Sequence, residues 1–137
     1  MGAWGTGIFE NDTALDWVWA LEDAEDALAL IGATLERVVG NGVDYLDAGD
    51  AEEALAAAQV ISMLQGNPGS EGDYSEELDA WVRQHPLAVP PALAQKARTA
   101  LARIVAPHSE LAELWEESGE AGEWKACVTE LQSRIGA

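Results

Sequence analysis

The chain has 137 residues, which fits one compact domain and leaves no room for a second domain of ordinary size. Seven Lys and Arg against 25 Asp and Glu give a net charge of −18, which opposes binding to nucleic acid or to an anionic membrane surface. The hydrophobic content of 48% is that of a folded protein and excludes a disordered acidic tail.

Two helices are predicted in the first 40 residues. Good N-cap residues precede Ala14, where apolar residues begin to recur with helical spacing, so the first helix begins near Asp12. Acidic residues then mark a break near residues 22–24, because acids are favoured at the start of a following helix. The second helix ends at Gly40–Gly42, since glycine and asparagine readily adopt the left-handed conformation that closes a helix.

The middle of the chain predicts one unusually apolar helix. A connection over residues 43–49 is expected to carry Tyr45 and Leu46 inward, and Asp50 is expected to cap the helix that follows. Apolar residues cover most of the circumference of that helix, which predicts a central position with neighbours on several sides. Residues 66–74 are polar and contain glycines, so they are predicted to form a mobile loop.

The second half of the chain predicts four shorter helices. Ser75 caps the first, Pro90–Pro91 begin the next, and Pro107 and Ser109 open a third helix that Gly119 closes. A final amphipathic stripe runs from Trp124 to Ile135. No segment has the alternating pattern of a strand.

These elements predict an all-α fold, with a single compact domain of six or seven short helices over residues 1–137. Residues 1–11 are expected to form an N-terminal arm packed on the core. Gly5 and Gly7 permit tight turns there, and the apolar residues of the arm are Trp4, Ile8 and Phe9. A phosphate cradle at the two glycines is the alternative, but the neighbouring acids would repel phosphate.

The charge is distributed unevenly along the chain. Residues 1–80 hold 18 acids and one base, a net charge of −17, whereas residues 81–137 hold seven acids and six bases. The stretch from Trp81 to Ser109 has no acid and four bases, namely Arg83, Lys96, Arg98 and Arg103. This basic strip either relieves repulsion among the acidic helices from within the fold or forms an anion site.

The sequence favours a cytoplasmic location. Cys127 is the one cysteine, so no intramolecular disulfide requires an oxidising compartment. The first residues lack the basic and apolar segments of a secretory signal, and no apolar run reaches the roughly 18 residues of a membrane span. No Walker loop, dinucleotide fingerprint or serine elbow occurs, so no cofactor is predicted.

The chain opens with a distinctive string, Trp4-Gly5-Thr6-Gly7-Ile8-Phe9-Glu10-Asn11-Asp12, followed by Ala14, Asp16 and Trp17. This string resembles the W-G-x-G-x-F-[DE]-N-D-x-A-x-D-W opening of small bacterial proteins known as domain of unknown function 4259. Further similarity lies in Tyr45-Leu46, in the alanine-rich helix from Ala54 to Ile61, and in Ser109-Glu110-Leu111 with Leu114-Trp115 and Trp124. The resemblance implies a bacterial, single-domain helical protein, and it brings no activity, substrate or catalytic residue with it.

The first helix and the residue before its cap supply the candidate binding residues. Glu10, Asp12 and Asp16 form a candidate ligand or metal pocket, to which a purely structural arm is the alternative. Trp19 projects away from the face that Trp17 shares with the core, so it is either covered by the arm or exposed as an interface anchor.

A second set of carboxylates fits a different chemistry. All-helical hydrolases of nucleoside triphosphates bind magnesium with paired carboxylates on facing helices. A loosely similar spacing occurs in Glu52, Glu53, Glu76 and Asp79, with Lys96 and Arg98 available for phosphate. Both pairs also begin their helices, where the helix dipole favours acids without any ligand.

Three hypotheses of function follow. The leading one is a non-enzymatic protein-interaction module whose acidic surface binds a basic protein, as an immunity or inhibitor protein covers a cationic toxin. The alternative is a magnesium-dependent nucleotide hydrolase that uses the paired carboxylates. Adaptation to a salty cytoplasm would explain the charge without a partner, and it predicts stability that rises steeply with salt.

Overall fold

The computed structural model describes residues 11–69 and 75–136, and these form seven α-helices. In chain order the helices are α1 (Asp12–Asp23), α2 (Ala27–Val39), α3 (Ala48–Leu64), α4 (Glu76–Gln84), α5 (Pro91–Ile104), α6 (Glu110–Ser118) and α7 (Ala121–Arg134). No strand occurs in these ranges, so the predicted all-α class and the single compact domain are confirmed. None of the helices is both long and apolar enough to cross a membrane.

Helix α3 lies at the centre of the fold, as its composition predicts. It packs against each of the other six helices, and its buried residues lie on all sides of its axis. Small side chains such as Ala51, Ala54 and Ala58 are fully buried, which lets the neighbouring helices approach its backbone closely. The core is therefore organised around one alanine-rich helix.

Most of the predicted helix ends are confirmed. The hydroxyl of Ser75 accepts a hydrogen bond from the backbone N–H of Leu78, and Ser109 caps α6 in the same way. Gly119 has a φ of 83° and closes α6 in the left-handed conformation. Helix α1 ends at Asp23, within the predicted range of the break, and Asp26 caps α2.

Two predictions in the connection before α3 are wrong. Leu46 is fully buried, but Tyr45 is 56% exposed and donates its hydroxyl hydrogen to Glu113 Oε1 at 2.8 Å. Successive residues of an extended segment point in opposite directions, so only one of the two can face the core. The cap of α3 is Asp47 rather than Asp50, because the Asp47 carboxylate accepts from the N–H groups of Gly49 and Asp50.

A buried polar cluster ties α3 to α7. Arg134 donates to Gln59 Oε1 and Ser62 Oγ, each at 3.0 Å, and to the carbonyl of Asn67 at 3.1 Å. Its Nε lies 2.9 Å from Glu130 Oε1. Gln59 and Ser62 are completely buried, and no buried side-chain nitrogen or oxygen in the described ranges lacks a partner. The guanidinium therefore satisfies polar groups that water does not reach.

Arg103 joins the connection between α2 and α3 to the connection between α5 and α6. It donates to the backbone carbonyls of Gly42 at 2.8 Å, Asp44 at 2.6 Å, Pro107 at 3.1 Å and His108 at 3.1 Å. His108 has a φ of 64°, and its carbonyl also accepts from the N–H of Leu46 at 2.8 Å. One arginine thus holds two loops by their backbones.

Two predictions fall outside the described ranges in whole or in part. The N-terminal arm, including Trp4, Ile8 and Phe9, lies outside them up to residue 10. The predicted mobile loop is described only at residues 66–69. Both stay predictions.

Candidate functional site

One face of α1 is exposed along its whole length. Asp12, Asp16, Trp19 and Asp23 recur at helical spacing on this face, and all four are exposed. Trp19 is 59% exposed, whereas Trp17 on the opposite face is buried. Whether the N-terminal arm covers Trp19 stays a prediction, because the arm lies outside the described residues. Glu10, the remaining candidate residue here, lies outside the described residues.

The turn from α1 to α2 faces α4 across a cleft of about 340 Å³, here called the acidic cleft. Its walls are formed by Glu22, Ala24, Glu25, Asp26, Ala27, Leu28, Trp81, His85 and Leu87. The carboxyl groups of Glu22 and Glu77 lie within hydrogen-bonding reach at its edge. Partial desolvation and the carboxylate of Glu77 raise the pKa of Glu22 above its ordinary value of 4.5. Negative charge is therefore concentrated around this cleft.

Two stacked rings form the α4 side of the acidic cleft. The centroids of the Trp81 and His85 rings are 4.4 Å apart, and their planes differ by 16°. The Nδ1–H of His85 donates to the backbone carbonyl of Trp81 at 2.8 Å. In the neutral ring, which carries one N–H, Nε2 is then an acceptor. The stack fixes the orientation of the exposed histidine.

An apolar groove of about 480 Å³ adjoins the cleft and shares Asp26 and Leu28 with it. Its other lining residues are Ala29, Pro90, Ala92, Leu93 and Lys96. Lys96 does not leave a free cation in the groove, because its Nζ lies 2.8 Å from Glu36 Oε1 on α2. The groove thus offers apolar surface next to a group of carboxylates.

Among the described residues, no base forms an ion pair with the acids at the cleft. Ion pairs within the described ranges involve acids such as Glu36, Glu53 and Asp79, and none involves Glu22, Glu25, Asp26 or Glu77. Of these four, Asp26 has a structural role, since its Oδ1 accepts from the N–H of Ala29. In the sequence, Glu22 and Glu25 are among the acids that mark the break between α1 and α2, and no motif places them in a site. Their proximity to α4 results from tertiary packing, and no pattern in the sequence predicts it.

The basic strip is largely engaged within the protein. Arg83 pairs with Asp79 on its own helix at 3.0 Å, Lys96 pairs with Glu36, and Arg103 holds backbone carbonyls. Arg98 is exposed and has no ion pair with the acids of the described ranges. This arrangement supports the internal role of the strip over an anion site.

The carboxylates named for the magnesium alternative have separate surroundings. Glu53 accepts from Arg37 at 2.7 Å, Asp79 pairs with Arg83, and Glu76 is exposed in the first turn of α4.

Glu52 is half-buried, and desolvation followed by the charge of Asp47 raises its pKa above 4.5. Among the residues that the structure describes, no three His, Cys, Asp or Glu side chains form a group that could hold a metal ion. The structure does not bring Glu52, Glu53, Glu76 and Asp79 together in such a group.

The model of a family described as Domain of unknown function (DUF4259) matches residues 2–127. No match was found among curated proteins or among solved structures.

Proposed function

The chain belongs to the DUF4259 family, and from its surface we propose that it is a non-enzymatic protein-interaction module whose acidic side binds a basic partner. The contact begins at the exposed face of α1, where a tryptophan lies among carboxylates. The partner is expected to be basic, because two surfaces that bind each other are electrostatically complementary.

The exposure of Trp19 carries this proposal. Trp19 is 59% exposed, and Asp16, Glu22 and Asp23 lie one helical turn away on either side. Large aromatic side chains dominate the binding energy of many interfaces, while surrounding charges steer the encounter. An exposed tryptophan among acids is therefore suited to a partner that presents an apolar pocket bordered by Lys or Arg.

Affinity capture with matched variants tests the proposal. The immobilised protein is incubated with lysate of its source organism at low and moderate salt, and bound proteins are quantified by mass spectrometry. We expect one or more basic proteins whose recovery falls at least about tenfold with Trp19→Ala. Val43→Ala is the control, because Val43 is also an exposed apolar residue, at 87%, and lies outside α1.

The charged part of the surface has its own test. Asp16→Asn combined with Asp23→Asn is expected to slow association and to weaken its dependence on salt. Glu117→Gln with Glu123→Gln removes the same charge from exposed positions of α6 and α7 and should have little effect. Equal recovery from the wild type and Trp19→Ala at moderate salt would overturn the proposal. A captured partner that is itself a toxin would extend it to an immunity or inhibitor role.

A further inference from the structure

The polar atoms of the acidic cleft are suited to one kind of side chain. The carboxylates of Glu22, Glu25 and Asp26 accept hydrogen bonds, and in neutral His85 the Nε2 atom is also an acceptor. A guanidinium has hydrogen-bond donors only. It forms bidentate hydrogen bonds with a carboxylate and stacks on flat rings. One side of the exposed His85 ring is covered by Trp81, so the ring is already held in place for such stacking.

The neighbouring apolar groove adds a second requirement. It is lined by Leu28, Ala29, Ala92 and Leu93 and shares a wall with the cleft. Arginine fits the cleft, and an apolar side chain fits the groove. Side chains three or four positions apart on a helix lie about 5–6 Å from each other, so one helical segment can supply both.

We propose that the acidic cleft and the apolar groove bind one helical segment of a basic protein, with an arginine in the cleft and an apolar side chain in the groove. The inference rests on the proposed function and specifies the chemistry of the partner. Charge complementarity selects this occupant, because a second copy of the chain would bring another net charge of −18 to the same surface.

Peptide binding followed by NMR tests the cleft directly. The probe is a helical peptide with arginine and leucine one turn apart, and the reference peptide has citrulline in place of arginine. Citrulline keeps the shape of the side chain and removes its charge. We expect the arginine peptide to shift the Trp81 indole and His85 ring signals of the full chain, and to bind roughly tenfold more tightly than the citrulline peptide.

Matched variants separate the cleft from general attraction to an acidic protein. Glu25→Gln is expected to weaken the arginine peptide roughly tenfold, and Ala92→Gln to weaken it severalfold by filling the groove. Glu117→Gln and Ala102→Gln make the same changes at exposed positions of α6 and α5, and binding should be nearly unchanged. Circular dichroism of all four variants establishes that they fold.

Each other outcome counts against the inference. Equal weakening by Glu25→Gln and Glu117→Gln would mean attraction to the whole surface. Shifts confined to the Trp19 indole would reject the cleft while supporting the proposed function. Failure to bind the arginine peptide at low salt, or self-association that depends on Ala92, would likewise overturn the inference. Loss of partner capture by Trp19→Ala tests the proposed function and does not depend on the outcome for the cleft.

Discussion

The polar cluster around Arg134 and the acidic cleft use charge in opposite ways. In the first, one guanidinium satisfies the buried side chains of Gln59 and Ser62 and pairs with Glu130. In the second, the carboxylates of Glu22 and Glu25 face solvent with no base of the described ranges at ion-pair distance. The chain has seven bases against 25 acids, and Arg134 and Arg103 are both engaged in holding the fold together, whereas the carboxylates of the cleft have no ion pair with a base of the described ranges.

This contrast separates stability from function. Groups in the Arg134 cluster contribute to the free energy of unfolding, because removing one leaves buried polar atoms without partners. Carboxylates crowded at the cleft repel each other and reduce that free energy, so a binding role would explain their placement. Substitutions in the two regions should therefore change stability with opposite signs.

The largest effect is expected for Arg134→Met. The substitution leaves the amide oxygen of buried Gln59 without its guanidinium partner and removes the side-chain hydrogen bonds by which Arg134 joins α7 to α3. We expect the free energy of unfolding to fall by about 3 kcal/mol, measured by urea denaturation. Arg98→Met is the matched control on exposed surface and should change stability by less than about 0.5 kcal/mol. Similar effects of the two variants would contradict the structural role of Arg134.

An intermediate effect is expected for Arg103→Lys. A lysine keeps the charge, but its single ammonium cannot reproduce the fork of donors that reaches carbonyls in both loops. We expect a loss of about 1–2 kcal/mol in the same denaturation assay. Arg98→Lys should be neutral. Unchanged stability of Arg103→Lys would show that the loops do not depend on the guanidinium.

The smallest effect, of opposite sign, is expected for Glu22→Gln. A raised pKa means that the folded protein binds this proton more tightly than the unfolded chain, so stability is lost as pH rises from 4.5 through the raised pKa. Because glutamine does not ionise, Glu22→Gln removes this loss of stability. Because solvent screens the exposed carboxylate, we expect a gain of a few tenths of a kcal/mol at neutral pH and none at about pH 3.

Denaturation at the two pH values measures the difference, with Glu117→Gln as the exposed control. A gain that is equal at both pH values would not come from ionisation of Glu22. The same variant should weaken the arginine peptide, so stability and binding would move in opposite directions at one position. That trade-off is the sharpest form of the contrast between the two regions.

The helix ends show how far local sequence determines structure. Ser75, Ser109 and Gly119 act where the sequence predicts, because caps and left-handed closure involve neighbouring residues only. Asp47 and Asp50 are both good caps by type, and the choice depended on the backbone conformation before α3. The residue type of Tyr45 is compatible with the core, but its hydroxyl donates a hydrogen bond to Glu113, which is 68 residues away in the sequence.

The candidate site divides in the same way. The α1 face was accessible to sequence analysis, since helical spacing alone places Asp12, Asp16 and Trp19 together. The acidic cleft could not be predicted from the sequence, because Glu22 and His85 come from elements far apart in the chain. The Arg134 cluster escaped prediction for the same reason, and no local pattern marks Gln59 as its partner.

The sequence by itself determined the all-α class, the central apolar helix, most helix ends and the excess of acid, since these follow from local periodicity, capping chemistry and composition. Only the tertiary structure decided which acids are neutralised. An ion pair or a cleft forms between side chains a few Å apart in space, and the packing of α1, α2, α4 and α5 around α3 sets those distances. The same packing engages Lys96 and Arg103 internally and leaves Glu22 and Glu25 at an open cleft.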